Sequence, residues 1–131
     1  MNHTFRSPLF VMMPRKTMPD KKLSLNLNVY MHLHPMQINN ARKIYFELMW
    51  PQMKGLKFNK VEIDLVLFKG SKRKIDRANF LSIVEKFFCD ALVANGCLED
   101  DNDDFILSTH YSTGGIDKDD PRVEITVTER S

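Results

Sequence analysis

Leu23, Leu25, Leu27 and Val29 alternate with Ser24, Asn26 and Asn28, and this period of two predicts a strand over Lys22 to Tyr30. Pro35 interrupts it. Ile38, Ala41, Tyr45 and Leu48 then recur at helical spacing, so a helix is expected over Met36 to Trp50, stopped by Pro51. Lys60 to Phe68 is the clearest strand, with Val61, Ile63, Leu65 and Leu67 on one face and Glu62, Asp64, Val66 and Phe68 on the other. A second helix is expected over Arg77 to Ala94, burying Phe80, Leu81, Val84, Phe88 and Ala91, with Gly96 suited to its exit. Phe105 to Tyr111 and Val123 to Thr128 alternate again, separated by the loop TGGIDKDDP. The order strand, helix, strand, helix, strand, strand predicts an α+β domain, a small mixed sheet with two helices packed on it. Residues 1–21 hold three prolines and no clear period, and read as an irregular arm before a domain at 22–131.

At 131 residues and 43% apolar, the chain has the size and composition of one folded domain rather than a disordered segment. No apolar run is long enough to span a membrane or to form a secretory signal, so no membrane partner is expected. Two cysteines, Cys89 and Cys97, are too few for a secreted disulfide framework and fit a reducing cytoplasm. The net charge of +2 hides a division: residues 1–74 carry 14 Lys/Arg against 4 Asp/Glu, and residues 75–131 carry 5 against 13. A basic half suggests a polyanionic partner, and acids beside a polyanion suggest a bound cation. Two solvated surfaces would give the same numbers.

Asp76 opens the second helix. Positions 76, 79, 83, 86 and 90 fall near one line on it, so Asp76, Asn79, Lys86 and Asp90 are expected to share a polar stripe. Asp100 and Asp101 lie in the acidic turn Glu99 to Asp104, from which a returning strand could bring Asp101 near Asp76 or Asp90. Such a carboxylate group suits a divalent ion acting on phosphate, with a lysine to hold the scissile group. Acids on a helix and in a turn are also ordinary surface.

The run KIDRANFLSIVEKFFCDALVANGCLEDDND, Lys74 to Asp103, resembles the RusA-type Holliday-junction resolvases of phages and prophages. Lys86, Asp90, Ala91 and Leu92 match a helix motif K-x-x-x-D-A-L, and Gly96 with Asp100 and Asp101 matches the turn that follows. A looser likeness joins LNVYMHLHPMQINNARKIY to the first helix of phage-type members, so the resemblance spans roughly residues 22–128. It implies a RusA-like fold and a homodimer that nicks four-way or branched DNA symmetrically with Mg²⁺ or Mn²⁺, in a bacterial cytoplasm. It also implies catalytic roles for Asp76, Lys86, Asp90 and Asp101, and metal binding by Asp76, Asp90, Asp100 and Asp101. Where the family's opening motif has two aspartates two residues apart, this chain reads Asp76, Arg77, Ala78, Asn79. The missing acid could be Asp90, Asp100 or Glu85, with Glu85 about 140° round the helix from Asp90 and least favoured.

DNA contacts are expected from Asn28, Tyr30, His34, Lys43, Lys72, Arg73, Lys74 and Asn79, with Lys54, Lys57, Lys60 and Lys69 as further phosphate contacts. His32 and His34 form an H-x-H pair, but no Cys, His or acid follows at zinc-ligand spacing. The alternatives are a non-catalytic nucleic-acid-binding module and a general flap or branched-DNA nuclease.

Overall fold

The computed structural model describes residues 2–130; Met1 and Ser131, the outer ends of the expected arm and domain, lie outside the described residues. Nine elements follow one another: β1 (Asn2–Ser7), β2 (Phe10–Met13), β3 (Lys21–Ser24), α1 (Leu27–Tyr30), α2 (Pro35–Met53), β4 (Lys60–Lys69), α3 (Arg77–Ala94), β5 (Ile106–Ile116) and β6 (Arg122–Arg130). Four strands form a mixed sheet in the order β1-β6-β4-β5, and β2 pairs with β3 in a separate ribbon. Within the sheet β4 and β5 run parallel, joined through α3, while β6 is antiparallel to both β4 and β1. The fold is α+β with a mixed sheet, as expected, with a third short helix and an extra ribbon. No helix among the described residues is long and apolar enough to cross a membrane.

One face of the sheet carries the core. Val61, Ile63, Leu65 and Leu67 of β4 and Val123, Ile125 and Val127 of β6 are buried beneath the helices. α2 presents Ala41, Tyr45, Met49 and Met53, one residue every four, and so buries a single stripe. α3 is buried over most of its circumference, with Leu81, Ile83, Val84, Phe87, Phe88, Cys89, Ala91 and Leu92 all inside. Phe88 meets Phe5 edge-on at 5.3 Å between ring centroids, and Phe87 meets Tyr45 at 5.6 Å.

Several expectations are corrected. Residues 2–7 are not an arm: β1 pairs with β6 along its whole length, and Phe5 and Ser7 alternate into the core. The prolines mark the breaks between strands, Pro8 after β1, Pro14 after β2 and Pro19 before β3, where no ladder N–H is required. The strand expected over Lys22 to Tyr30 ends at Ser24. Asn26 Oδ1 accepts from Val29 N at 2.9 Å and caps α1 instead, leaving Leu27 exposed. Pro51 does not stop α2, which runs to Met53. A proline this late removes only a bond from its own nitrogen, and Lys54 N still reaches Trp50 O at 2.9 Å.

β4 and α3 match their expected spans to within a residue. α3 leaves through Gly96 at φ +78, which lets Cys97 N reach Leu92 O. β5 continues into the expected loop because Gly114 sits under the Phe68 ring, where a Cβ would lie 2.6 Å from the ring edge. The strand therefore passes through the two glycines rather than turning at them.

Candidate functional site

Asp76 is the N-cap of α3. Its Oδ1 accepts from Ala78 N at 3.0 Å, and the residue is exposed. Asp90 lies fourteen residues on, about 21 Å further along the axis. Midway between Asn79 and Lys86, Ile83 is only 4% exposed, so the expected polar stripe is broken by a core residue. Asp76 therefore does not join the other acids, and the four-carboxylate site expected of Asp76, Asp90, Asp100 and Asp101 does not form.

Asp90, Asp100 and Asp101 do meet. The turn after α3 returns Asp101 to the helix flank, where it lines one hollow with Asp90 and Arg42. Burial, followed by the Asp90 carboxyl, raises the Asp101 carboxyl above its ordinary value. Asp100 itself is turned into its own loop, accepting from Asp101 N at 2.7 Å and from Asn102 Nδ2 at 3.2 Å. Asp90 accepts from Arg42 Nε of α2 at 3.1 Å. Burial, then Glu85, Asp101 and Asp90 together, push the Cys89 thiol well up, so all three acids surround this point of α3.

Lys86 is exposed and lines a cleft of about 570 Å³ with Asp101, Glu85, Ser82 and Tyr111. Tyr111 Oη of β5 donates to Glu85 Oε1 across that cleft. Burial, then this carboxylate, raises the Tyr111 phenol. Asp101 thus borders Glu85 on one side and Asp90 on the other. Among the described residues, no group of three His, Cys, Asp or Glu side chains is placed to hold one ion. What remains is a carboxyl pair, Asp90 and Asp101, next to a free lysine. Mg²⁺ is commonly held by one or two carboxylates plus water, so this donor set fits the ion.

The expected DNA contacts divide. Ser71 to Ala78 is exposed throughout, leaving Lys72, Arg73 and Lys74 open to solvent ahead of α3. Asn28 and Asn79 line a second cleft with Asp76. Tyr30 packs edge-on to Phe87 at 6.4 Å, which commits its ring to the core side of α1. His34 caps α2, its Nδ1 accepting from Met36 N at 3.1 Å, and so serves the helix. Lys43 lines a hollow with Met13 and Pro14, toward the β2–β3 ribbon. The basic residues are not one patch. β4 is about 30 Å long, so Lys60 and Lys69 mark its opposite ends, and Lys57 donates to Gly96 O at the far end of α3.

Arg42, Ser82 and Tyr111 carry no motif and were not singled out by sequence; only their places in the fold bring them to the acids. Glu85, least favoured by helical angle, lines the cleft with Asp101 and accepts from Tyr111 there. No family model matches the chain, and no curated protein matches it.

Proposed function

We propose that this chain is a metal-dependent endodeoxyribonuclease that nicks Holliday junctions and related branched DNA, working as a homodimer. The observation that carries the reading is the position of Asp101, which shares one hollow with Asp90 and an open cleft with Lys86, a lysine unpaired among the described residues. The likeness of Lys74 to Asp103 to the RusA-type resolvases supplies the substrate class, the two-fold assembly and the bacterial cytoplasm. Two equivalent strands are cut by two equivalent sites related by a two-fold axis.

Asp101 and Asp90 would hold Mg²⁺ or Mn²⁺. When bound, the ion activates water and stabilises charge on the phosphate undergoing in-line attack. Arg42 fixes the Asp90 carboxylate and offsets part of its charge. Lys86, free of any ion pair among the described residues, holds a non-bridging phosphate oxygen and offsets charge there. Tyr111 anchors Glu85, which keeps that carboxylate at the cleft wall. Lys72, Arg73 and Lys74 bind backbone away from the cut.

A labelled synthetic four-way junction tests the proposal, incubated with Mg²⁺ and then with EDTA. Paired nicks that EDTA abolishes are the expected result. A second reading, a nucleic-acid-binding module without catalysis, is favoured by Arg42 on Asp90 and by the distance of Asp76 from the other acids. Junction that is shifted but uncut in Mg²⁺ selects that reading. Equal cutting of forks and flaps selects a general branched-DNA nuclease.

A further inference from the structure

The β2–β3 ribbon carries cations on a fixed base. Val11 and Leu23 face each other across its ladder and are 1% and 4% exposed, so the root of the ribbon belongs to the core. Leu25 N donates to Leu9 O at 2.8 Å and extends the pairing beyond the ladder. The turn between the strands, residues 14–20, is exposed throughout. Residues 10–24 hold Arg15, Lys16, Lys21 and Lys22 against Asp20 alone. All four cations are exposed, as is Lys43 of α2, which shares a hollow with Met13 and Pro14. None of the five forms an ion pair among the described residues. Two of them are held in place. Arg15 Nε donates to Pro19 O at 2.9 Å, which leaves the two outer guanidinium nitrogens free. Lys22 Nζ sits 4.2 Å from the centre of the Phe10 ring.

We propose that the β2–β3 ribbon is a second DNA-binding surface, one that grips a duplex arm by its phosphates. The proposal rests on the nucleic-acid reading above and adds to it a contact separate from Lys72, Arg73 and Lys74. Charge complementarity argues the occupant. These cations find no acid in their own fold, and a duplex presents one negative charge per about 1.7 Å of its axis. The free fork of Arg15 matches two phosphate oxygens at once. Contacts to the backbone are blind to sequence, which suits a substrate defined by its branching. An anionic bilayer carries the same charge, but a protein holds to it through apolar side chains that enter the lipid. The turn offers Met18 alone for that purpose, and Phe10 lies under Lys22. The ribbon also neighbours the candidate site. Adjacent residues of α2 reach to each, Arg42 to Asp90 and Lys43 to the hollow beside Met13 and Pro14, so the two lie on adjoining flanks of one helix.

Fluorescence anisotropy of the full chain in EDTA tests this with a labelled linear duplex and a labelled four-way junction. The variant combines Lys16→Glu with Lys21→Glu, whose side chains form no hydrogen bond or ion pair among the described residues. It is expected to bind the duplex about tenfold or more weakly at about 50 mM salt, with the slope of log affinity against log salt reduced by about two. Lys16→Arg with Lys21→Arg keeps the charge and is expected to bind as the wild type does. Duplex affinity and slope left unchanged by the glutamates overturn the ribbon surface and leave the nucleic-acid reading standing, as does a wild type that binds the junction but not the duplex. Absence of wild-type binding to both DNAs overturns that reading and the ribbon surface with it. Sedimentation with vesicles of phosphatidylserine and phosphatidylcholine covers the other polyanion. Vesicle binding lost in the glutamate variant, with duplex binding intact, assigns the ribbon to a membrane and overturns the proposal.

Discussion

Asp101 holds its proton more tightly in the folded chain than in the unfolded one, because burial and the Asp90 carboxyl both oppose its charge. A carboxyl whose value is raised on folding stabilises the fold below its unfolded value, and that contribution is lost as pH rises through the folded value. At neutral pH the charged Asp101 is therefore a cost to stability. Asp101→Asn should melt at a higher temperature than the wild type near pH 7, and the difference should vanish below about pH 3, where Asp is protonated in both states. Thermal melts across that range check the sign, and a lower neutral melting temperature would contradict it. A residue kept at a cost to stability is a common mark of function. At this scale the motif spacing singles out Asp90, Lys86 and Asp101, and the fold places all three along one flank of α3 and the turn after it. The fold gives Asp76 and His34 capping work that the motif does not foreshadow, the carboxylate on the first turn of α3 and the imidazole on that of α2.

Among the elements, β4 and α3 were legible because their apolar periods agree with their boundaries: Asp76 caps α3, Gly96 releases it, and β4 alternates over its whole length. β1 was hidden because only two of its six residues reach full burial and prolines follow closely. α1 was hidden because Leu23 and Leu25 begin a true strand pattern that Asn26 ends by capping a helix. The site depends on an element that no periodicity marks, the turn that carries Asp101 back along α3. Treating β1 as part of the sheet has a direct consequence. Phe5 is 1% exposed and meets Phe88 edge-on, so Phe5→Ala should cost about 3–5 kcal/mol of stability. The urea midpoint measures it, and a change near zero would return residues 2–7 to the status of an arm.

For the whole molecule, the charge division read from the sequence becomes a spatial one along α3. Lys72, Arg73 and Lys74 precede the helix, and the acids gather about 21 Å further on. The core faces one side of the sheet, so the basic loop and acid pair are held on a rigid support rather than on independent segments. Replacing all three basic residues with Ala should weaken junction binding at every sequence. It should also lower the slope of log affinity against log salt by about two to three, since each phosphate contact contributes about 0.7–0.9. A salt titration in EDTA reads that slope; an unchanged one would mean these side chains face solvent in the complex.

Under the proposed function Asp101, beside Asp90, works on the DNA backbone while Asp76 serves the fold. The nicking rates of Asp101→Asn and Asp76→Asn on a four-way junction in Mg²⁺ separate the two roles. Asp101→Asn should nick at least about a hundredfold more slowly than the wild type while still binding. Asp76→Asn should stay within about threefold of it, because Asn caps a helix as well as Asp does. Wild-type nicking by Asp101→Asn, or its loss in Asp76→Asn alone, would remove Asp101 from the chemistry.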